Sequence, residues 1–324
     1  MLEAFRVNLI IATLLGIALG TSAYGETYPH RPVRLIVPFA AGGLNDVVAR
    51  LIAPYLERSL GQPFIVDNRP AASGIVGTDA TAKATPDGHT LLMVASSFAV
   101  VPATHPKLPY DAERDLAPIG MVAKNSLLFV VNPKVPANSL AQFVALAKAN
   151  PGQLNYASPG AATQTHLVVE LLSQKAGIKL QHIPYRGGAP AMMAVVAGDT
   201  QFTAISTLIL LPQIRSGAAR ALASGSLSRD AQLPDLPTVA EQGFPGFEAI
   251  QWIGLLTTGG TPKDIIERIN AELNRALRDP DVIAKLAHQG LSPAGGTPTQ
   301  FQQTIAIDLK NWTAIARAAN ITAE

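Results

Sequence analysis

Between Val33 and Arg50 the chain runs from an apolar stretch, Val33 to Val37, through Pro38-Phe39-Ala40-Ala41-Gly42-Gly43-Leu44-Asn45, into a segment of helical character opening near Asp46. A buried strand that feeds a helix through a glycine turn commits the chain to α/β layering. It also presents the unpaired first-turn N–H groups, at the positive end of the helix dipole, toward one point, which makes a ready anion site. Gly42 and Gly43 lack Cβ, so a ligand can approach the backbone and positive φ is open to them. An ordinary βα turn also favours glycine, and this segment alone does not separate the two readings.

The same punctuation recurs along the chain. The spacing predicts a helix over Asp46 to Leu60 closed by Gly61, a strand at Phe64 to Asp67, a helix over Ala72 to Ala84 ended by Pro86-Asp87-Gly88, and a strand at Thr90 to Ala95 with Ser96 and Ser97 at its carboxyl end. A second unit follows: a strand at Leu127 to Val131, a helix at Leu140 to Ala149 capped by Ser139, a strand at Leu154 to Ala157, then the loop Ser158 to Thr165 and a helix over His166 to Ala176. Further strands are expected at Ile183 to Tyr185, Gln201 to Ile205, Ala219 to Ser224 and Ala249 to Leu256, with a helix at Ala189 to Val196. Thr261-Pro262-Lys263-Asp264 reads as an N-cap, N1 proline and capping-box partner. Ile265, Ile269, Leu273 and Leu277 then mark one buried helix face, as do Phe301, Ile305, Leu309, Trp312 and Ile315 after Thr297-Pro298. Strands alternating with helices predict parallel sheets covered on both faces, with ligands at the carboxyl ends of the strands. Those ends are Ala40 to Asn45 in one unit and Ser158 to Thr165 in the other.

The first residues read as an export signal. Arg6 precedes the apolar run Leu9 to Leu19, and Ala23-Tyr24-Gly25 offers small residues for cleavage. The run is shorter than the roughly 20 residues a membrane span needs. Removal of residues 1–25 leaves about 299 of the 324 residues, enough for two domains of roughly 150 each. A net charge of +2 without Lys or Arg runs argues against a nucleic-acid surface or a membrane patch. There is no cysteine, hence no disulfide, thiolate metal site or lipid-anchored N-terminal cysteine.

Catalytic signatures are scarce: no G-x-S-x-G, G-x-G-x-x-G, Walker A or H-E-x-x-H motif occurs. The six histidines are scattered, and only His166 with Glu170 stands at a helical i, i+4 spacing that could hold a metal. Ser158 has no His or Asp in a recognisable relation to it, and is better placed as a hydroxyl donor to a ligand than as a nucleophile. Asp46 can pair with Arg50 one turn on or fix the glycine turn. Arg69 suits a loop tie, and Arg186 a cleft-closing role.

An ordered set of motifs runs through the chain. It comprises Pro38 to Gly43 with Asp46, Asn68-Arg69-Pro70, Pro86-Asp87-Gly88, Tyr156-Ala157-Ser158, His166-Leu167, Pro184-Tyr185-Arg186-Gly187-Gly188-Ala189-Pro190, Leu236-Pro237-Thr238-Val239 with Glu241 and Gly243, and Trp252 with Gly254-Leu255 before Thr261-Pro262. In this the chain resembles the Bug/TctC-type periplasmic solute-binding proteins of tripartite tricarboxylate transporters. The resemblance implies an α/β, two-lobed type II periplasmic-binding-protein fold, each lobe a mixed, mostly parallel sheet flanked by helices. Crossover strands are expected near Leu127 to Val131 and Gln251 to Leu255. The implied division is a signal peptide at 1–25, one lobe from 26–127 and 249–324, and the other from 128–248.

It further implies a periplasmic receptor, not an enzyme, that needs no cofactor or metal. The receptor would hand a di- or tricarboxylate or related organic acid to membrane permease subunits, without a stable membrane anchor and without nucleic acid. By motif position the ligand contacts fall on Phe39, Ala41, Gly42, Gly43, Asp46 and Ser96 in one lobe, and on Ser158, Gly160, Ala161, Thr163, His166 and Ile205 in the other. Two departures stand out: Ala162-Thr163 where the family commonly has Gly then Ser, and Ile205 where many members carry Asp ahead of Ser206. The missing acid points to a carboxylate without an amine. A sensory partner of a membrane receptor, and an exported hydrolase using Ser158 or His166, remain as alternatives.

Overall fold

A computed structural model describes residues 27–105, 107–230 and 232–322; the expected signal segment, 1–25, lies outside the described residues. The chain builds one mixed sheet in the order β2-β1-β3-β9-β4-β7-β5-β6, with β8 and β10 (Ser292–Gly295) also pairing to β4. One flank is parallel: β1 (Val33–Val37) lies between β2 (Phe64–Asn68) and β3 (Thr90–Ala95). The other flank is also parallel, with β5 (Asn155–Ser158) between β6 (Gln181–Pro184) and β7 (Phe202–Ser206). Antiparallel strands join them, which makes the sheet mixed where strand–helix alternation alone predicts parallel pairing.

The joint is β4 (Leu116–Val131). Its first part, Leu116 to Ser126, pairs with β9 (Ile250–Thr258), and its last five residues pair with β7 and with β8 (Arg220–Ser224). The sequence shows only the second part as a strand, because Pro118, Gly120, Lys124 and Asn125 break the apolar run of the first. β9 pairs with β3 and β4 and so belongs wholly to the first half. The second crossing therefore precedes the expected Gln251 to Leu255, at Ala249. There three backbones close a ring of hydrogen bonds: Leu127 N–H to Ala249 O (3.1 Å), Ala249 N–H to Gly225 O (2.7 Å) and Gly225 N–H to Leu127 O (2.8 Å).

Helices cover both faces: α1 (Leu44–Leu60), α2 (Ile75–Ala82), α3 (Ser97–Thr104), α4 (Leu140–Ala149), α5 (Gln164–Ala176), α6 (Gly188–Ala197), α7 (Thr207–Arg215), α8 (Lys263–Ala276), α9 (Pro280–His288) and α10 (Pro298–Ala318). Gly61 and Gly177 close α1 and α5 in the left-handed conformation expected of C-terminal glycines. The expected helix over Ala72 to Ala84 is interrupted: Ser73 and Gly74 have φ of 56° and 90°, and only Ile75–Ala82 is regular. The capping box expected at Thr261 does not form. Thr261 Oγ1 donates to Thr258 O (2.8 Å) and α8 starts one residue beyond Pro262 without a side-chain cap. Thr297 and Gln300 do form a capping box, on α10. α3 and α7 lack a polar face to mark them in the sequence, and each holds a proline (Pro102, Pro212).

One continuous apolar cluster runs through both halves, from Leu92 and Val94 through Phe129, Phe143, Tyr156 and Phe202 to Trp252, Phe301 and Ile315. Burial of this contiguous kind, at about 25 cal/mol per Å² of apolar surface, stabilises a cysteine-free chain. The crossing is the tightest point. A Cβ on Gly225 would sit 2.6 Å from Ala249 O and 3.0 Å from Leu127 O, both backbone atoms that cannot swing away. We expect Gly225→Ala to lower unfolding stability by about 1–3 kcal/mol in chemical denaturation, as overpacking does elsewhere; an unchanged midpoint would contradict the rigid crossing.

Candidate functional site

The carboxyl ends of β1 and β3 face those of β5 and β7 across the crossing strands. Between them lies a pocket of about 320 Å³. Ser73, Ala95 and Ser96, the α3 residues Ser97, Val100, Val101 and Thr104, and His105 just beyond them line one wall. Pro159 and Ala161 to Thr165 line the other, and Gln251 forms the floor. No Lys, Arg, Asp or Glu is among these residues.

Two helices begin at this pocket, and neither has an acidic residue in its first turn. Thr163 caps α5, its Oγ1 accepting from His166 N–H at 3.4 Å, while the amides of Gln164 and Thr165 have no intrahelical acceptor. A carboxylate at such a terminus gains typically 0.3–1 kcal/mol, and up to about 2 kcal/mol where partly buried.

The amino end of α1 is different. Asp46 is buried there, with Oδ2 accepting from Gly42 N–H (2.8 Å) and Arg50 Nε (3.0 Å), and Oδ1 accepting from Asn68 Nδ2 (3.0 Å). Burial by itself would raise its pKa. The hydrogen bonds from Arg50, Gly42 and Asn68, with the Arg50 charge, outweigh that and hold it below the usual carboxylate range. The helix end that first suggests an anion site thus already holds the chain's own carboxylate. Gly43 N–H is also taken, by Ala40 O (3.2 Å).

The loop after β5 is held from behind. Ser158 is wholly buried; its Oγ donates to Gly160 O (2.8 Å) and lies 2.6 Å from His182 Nε2. Thr163 Oγ1 donates to the same Gly160 carbonyl (2.8 Å). His166 stacks on His182 with ring centroids 3.7 Å apart, and its Nδ1 accepts from Ala162 N–H (3.2 Å). Burial, aided for His166 by His182, pushes both imidazoles down to about 4. Tyr156 OH donates to Glu170 Oε1 (2.6 Å), so Glu170 is turned to the tyrosine rather than toward a site shared with His166. Ala162 takes φ of 55°, the left-handed region that a glycine would occupy freely.

Of the residues singled out in the sequence, the pocket gathers Ser96, Ala161 and Thr163. Phe39, Ala41, Gly42, Gly43 and Asp46 do not line it; their turn stands alongside, where Gly74 and Gly77 pack against Pro38 and so place Ser73 in the wall. Gly160 shapes the loop through its carbonyl. Ser158 and His166 lie behind the loop, with Ser158 Oγ turned to Gly160 and His182 and His166 Nδ1 to the Ala162 amide.

Ile205 is buried against Leu128, Ala157 and Met192, so the argument from an acid missing at that position falls away. Among the residues that line the pocket there is no Asp or Glu in its place. The serine has a histidine neighbour after all, in His182, from a strand 24 residues on. Of the two, Ser158 is wholly buried and His182 half-buried. Arg69 ties to Asp67 (3.0 Å), and Arg186 does not line the pocket.

Sequence reasoning missed Ser73, the α3 wall, Gln164 and Gln251. Only Gln164, inside the loop already marked, carried a signal. A second cavity, of about 340 Å³, lies behind the crossing strands beside Trp252, Asp308 and Trp312. Burial pushes the Asp308 carboxyl up to about 6, and the wall of this cavity carries charges of both signs, Glu248 and Lys175.

Residues 48–321 match the family model described as tripartite tricarboxylate transporter family receptor. Protein BugT of Bordetella pertussis is 40% identical over 313 residues, covering 96% of this chain and 95% of that protein. Among solved structures, R. palustris Rpa4515 with adipate superposes with a TM-score of 0.74 at 30% identity, over 91% of this chain and 99% of that one. MatC from Rhodopseudomonas palustris with bound malate gives 0.70 at 30% identity, over 89% and 99%. These neighbours have the two-lobed periplasmic-binding-protein fold, and the two halves described above are its lobes.

The imidazole pair makes stability depend on pH. The unfolded chain takes up protons near 6.5, whereas the folded protein resists them down to about 4, so stability held above pH 6.5 is lost as pH falls toward 4. We expect melting temperature to drop across that window, and the drop to flatten in His166→Gln/His182→Gln; an equal slope in both proteins would rule out the pair as its source. Ala162→Gly should raise unfolding stability by about 1 kcal/mol by relieving the left-handed strain, read from the denaturation midpoint.

Proposed function

Since the chain belongs to the tripartite tricarboxylate transporter receptor family, we propose that it is an exported receptor, without catalytic activity. It captures a small organic acid with one or two carboxylates and no amine, and delivers it to membrane permease subunits. Residues 26–127 and 249–324 form one moving lobe and 128–248 the other, after removal of a signal peptide at 1–25. The ligand touches both walls of the inter-lobe pocket, and a ligand that contacts both bodies favours the closed form. Phe39 to Asp46 contributes as a scaffold beside the pocket, Ala161 and Thr163 contribute as contacts, and Ser96 shapes the wall with its hydroxyl committed to Gln164.

One observation carries this reading. Two helix amino termini without acidic residues open onto a pocket that has hydroxyl and amide donors, an apolar wall of Val100 and Val101, and no formal charge. Helix ends and N–H groups compensate one or two carboxylates. A third negative charge would be desolvated without a cation to meet it, at a penalty of several kcal/mol per unpaired ion. An ammonium would find no carboxylate there. The relatives that bind adipate and malate bind molecules of this class.

Titration calorimetry with adipate, malate, citrate and glutamate tests the reading. A dicarboxylate should bind, citrate should bind at least about tenfold more weakly (1.4 kcal/mol), and glutamate should not register. Ala161→Trp, which fills the pocket from an exposed loop position, should abolish dicarboxylate binding while the melting temperature holds. Tight glutamate binding, or undiminished affinity in Ala161→Trp, would refute it.

A further inference from the structure

One side chain ties the two walls of the pocket together. Gln164, the first residue of α5, is 5% exposed and reaches out of its own lobe. Its Oε1 accepts from Ser96 Oγ at 2.6 Å, at the carboxyl end of β3, and its Nε2 donates to the carbonyl of Ile250 at 2.8 Å, where β9 begins. Ser96 is 2% exposed, and its own amide donates to Trp252 O (2.9 Å). The carboxamide therefore joins three pieces of backbone: the amino end of α5, the end of β3 and the start of the strand that follows the crossing.

We propose that Gln164 is a positioning residue that sets lobe closure, holding the amino end of α5 against β3 so that the anion-binding amides meet the ligand already aimed. This rests on the reading of the pocket as the ligand site. Parting of the lobes at this point separates Ser96 Oγ from Gln164 Oε1, so the bridge favours the arrangement in which α5 meets β3. An interaction present in one of two states shifts the balance toward that state, and the ligand-free protein samples closure on its own. Apparent affinity then rises with the fraction of molecules already competent to bind.

The residue type fits the role. A carboxamide supplies one acceptor for a hydroxyl and one donor for a carbonyl, both needed here. A carboxylate at 164 would lose the donor to Ile250 and bring a negative charge to the helix end where the ligand's own carboxylate sits. Because the side chain belongs to the residue whose amide heads the helix, anchoring it also fixes that amide.

The absence of cysteine in the chain permits clean labelling. Spin labels on Glu57→Cys in α1 and Lys148→Cys in α4, both exposed, report the inter-lobe distance by pulsed electron resonance. In this background Gln164→Met keeps side-chain volume and removes both hydrogen bonds. It should lengthen the ligand-free distance distribution and weaken adipate binding by about tenfold, mainly through faster dissociation. Ser96→Ala should move both readouts the same way, and the double variant should be no worse than Gln164→Met alone, since the two residues share one interaction.

An unchanged ligand-free distribution in Gln164→Met, with melting temperature intact, overturns the proposal. If that variant fails to fold, Ser96→Ala, lacking one hydroxyl, decides by the same distance readout. Ala161→Trp separates the two ideas. Loss of adipate binding there with no distance change in Gln164→Met leaves the site standing and removes the bridge. Full binding there removes the site, and the ligand role of the bridge with it.

Discussion

Three backbone segments meet at Leu127, Gly225 and Ala249 and hydrogen-bond to one another in a closed ring. Everything that positions the pocket follows from that ring. It fixes where the chain passes between halves, and it does so with main-chain groups, so no side-chain change elsewhere can slide the two halves past each other. β4 runs through it unbroken, bonded first to β9 and then to β7 and β8. A single strand shared by two parallel flanks turns their carboxyl ends toward one gap. The gap is thus a property of topology, in the way that a switch in strand order makes a crevice in any open α/β sheet.

Within that gap, electrostatics sorts the helix ends. The helix ends that open onto the pocket, those of α3 and α5, have no acidic residue in their first turn, whereas that of α1, whose turn stands alongside, is already occupied by Asp46 with Arg50 behind it. A buried carboxylate held by an amide, an amide side chain and a guanidinium is a finished structure, and its business is to shape the turn from Phe39 to Asn45. The same dipole that draws Asp46 to α1 is left unanswered at α5. In the proposed role the arrangement meets a negative ligand with helix ends and no buried cation. That matters for a receptor in the proposed role, because a ligand bound by a desolvated ion pair is hard to give up.

The parallel flanks were legible in the sequence because buried strands and glycine-ended helices announce themselves: β1, β3, α1, α4 and α5 stand where periodicity and capping place them, within two residues. What was not legible depends on partners distant in the chain. The first part of β4 reads as loop because its Pro, Gly, Lys and Asn are tolerated by neighbours, β9 and β10, that lie more than a hundred residues away. α3 is apolar almost throughout and shows no period, since it is covered on one side by α10 and lines the pocket on the other. The pairing of Ser158 with His182 across adjacent strands has no local signature at all. Ile205 shows the opposite hazard. Strand alternation puts it in the core, and its motif position gave no warning.

The residues behind the loop explain why Ser158 and His166 do not line the pocket to which their motif positions point. A loop that must hold two helix-end amides toward a ligand cannot spend those amides on itself, and so needs its remaining polar atoms fastened from the rear. Ser158, Thr163 and His182 fasten the Gly160 carbonyl and the turn around it, and His166 fastens the Ala162 amide. Both imidazoles work only as neutral groups: His166 must accept at Nδ1, and stacking at 3.7 Å leaves no room for two charges. Ala162 then sits in a strained conformation that the rear contacts impose. The strain, the buried serine and the stacked histidines are one device, and what it delivers is a rigid, uncharged face for the pocket.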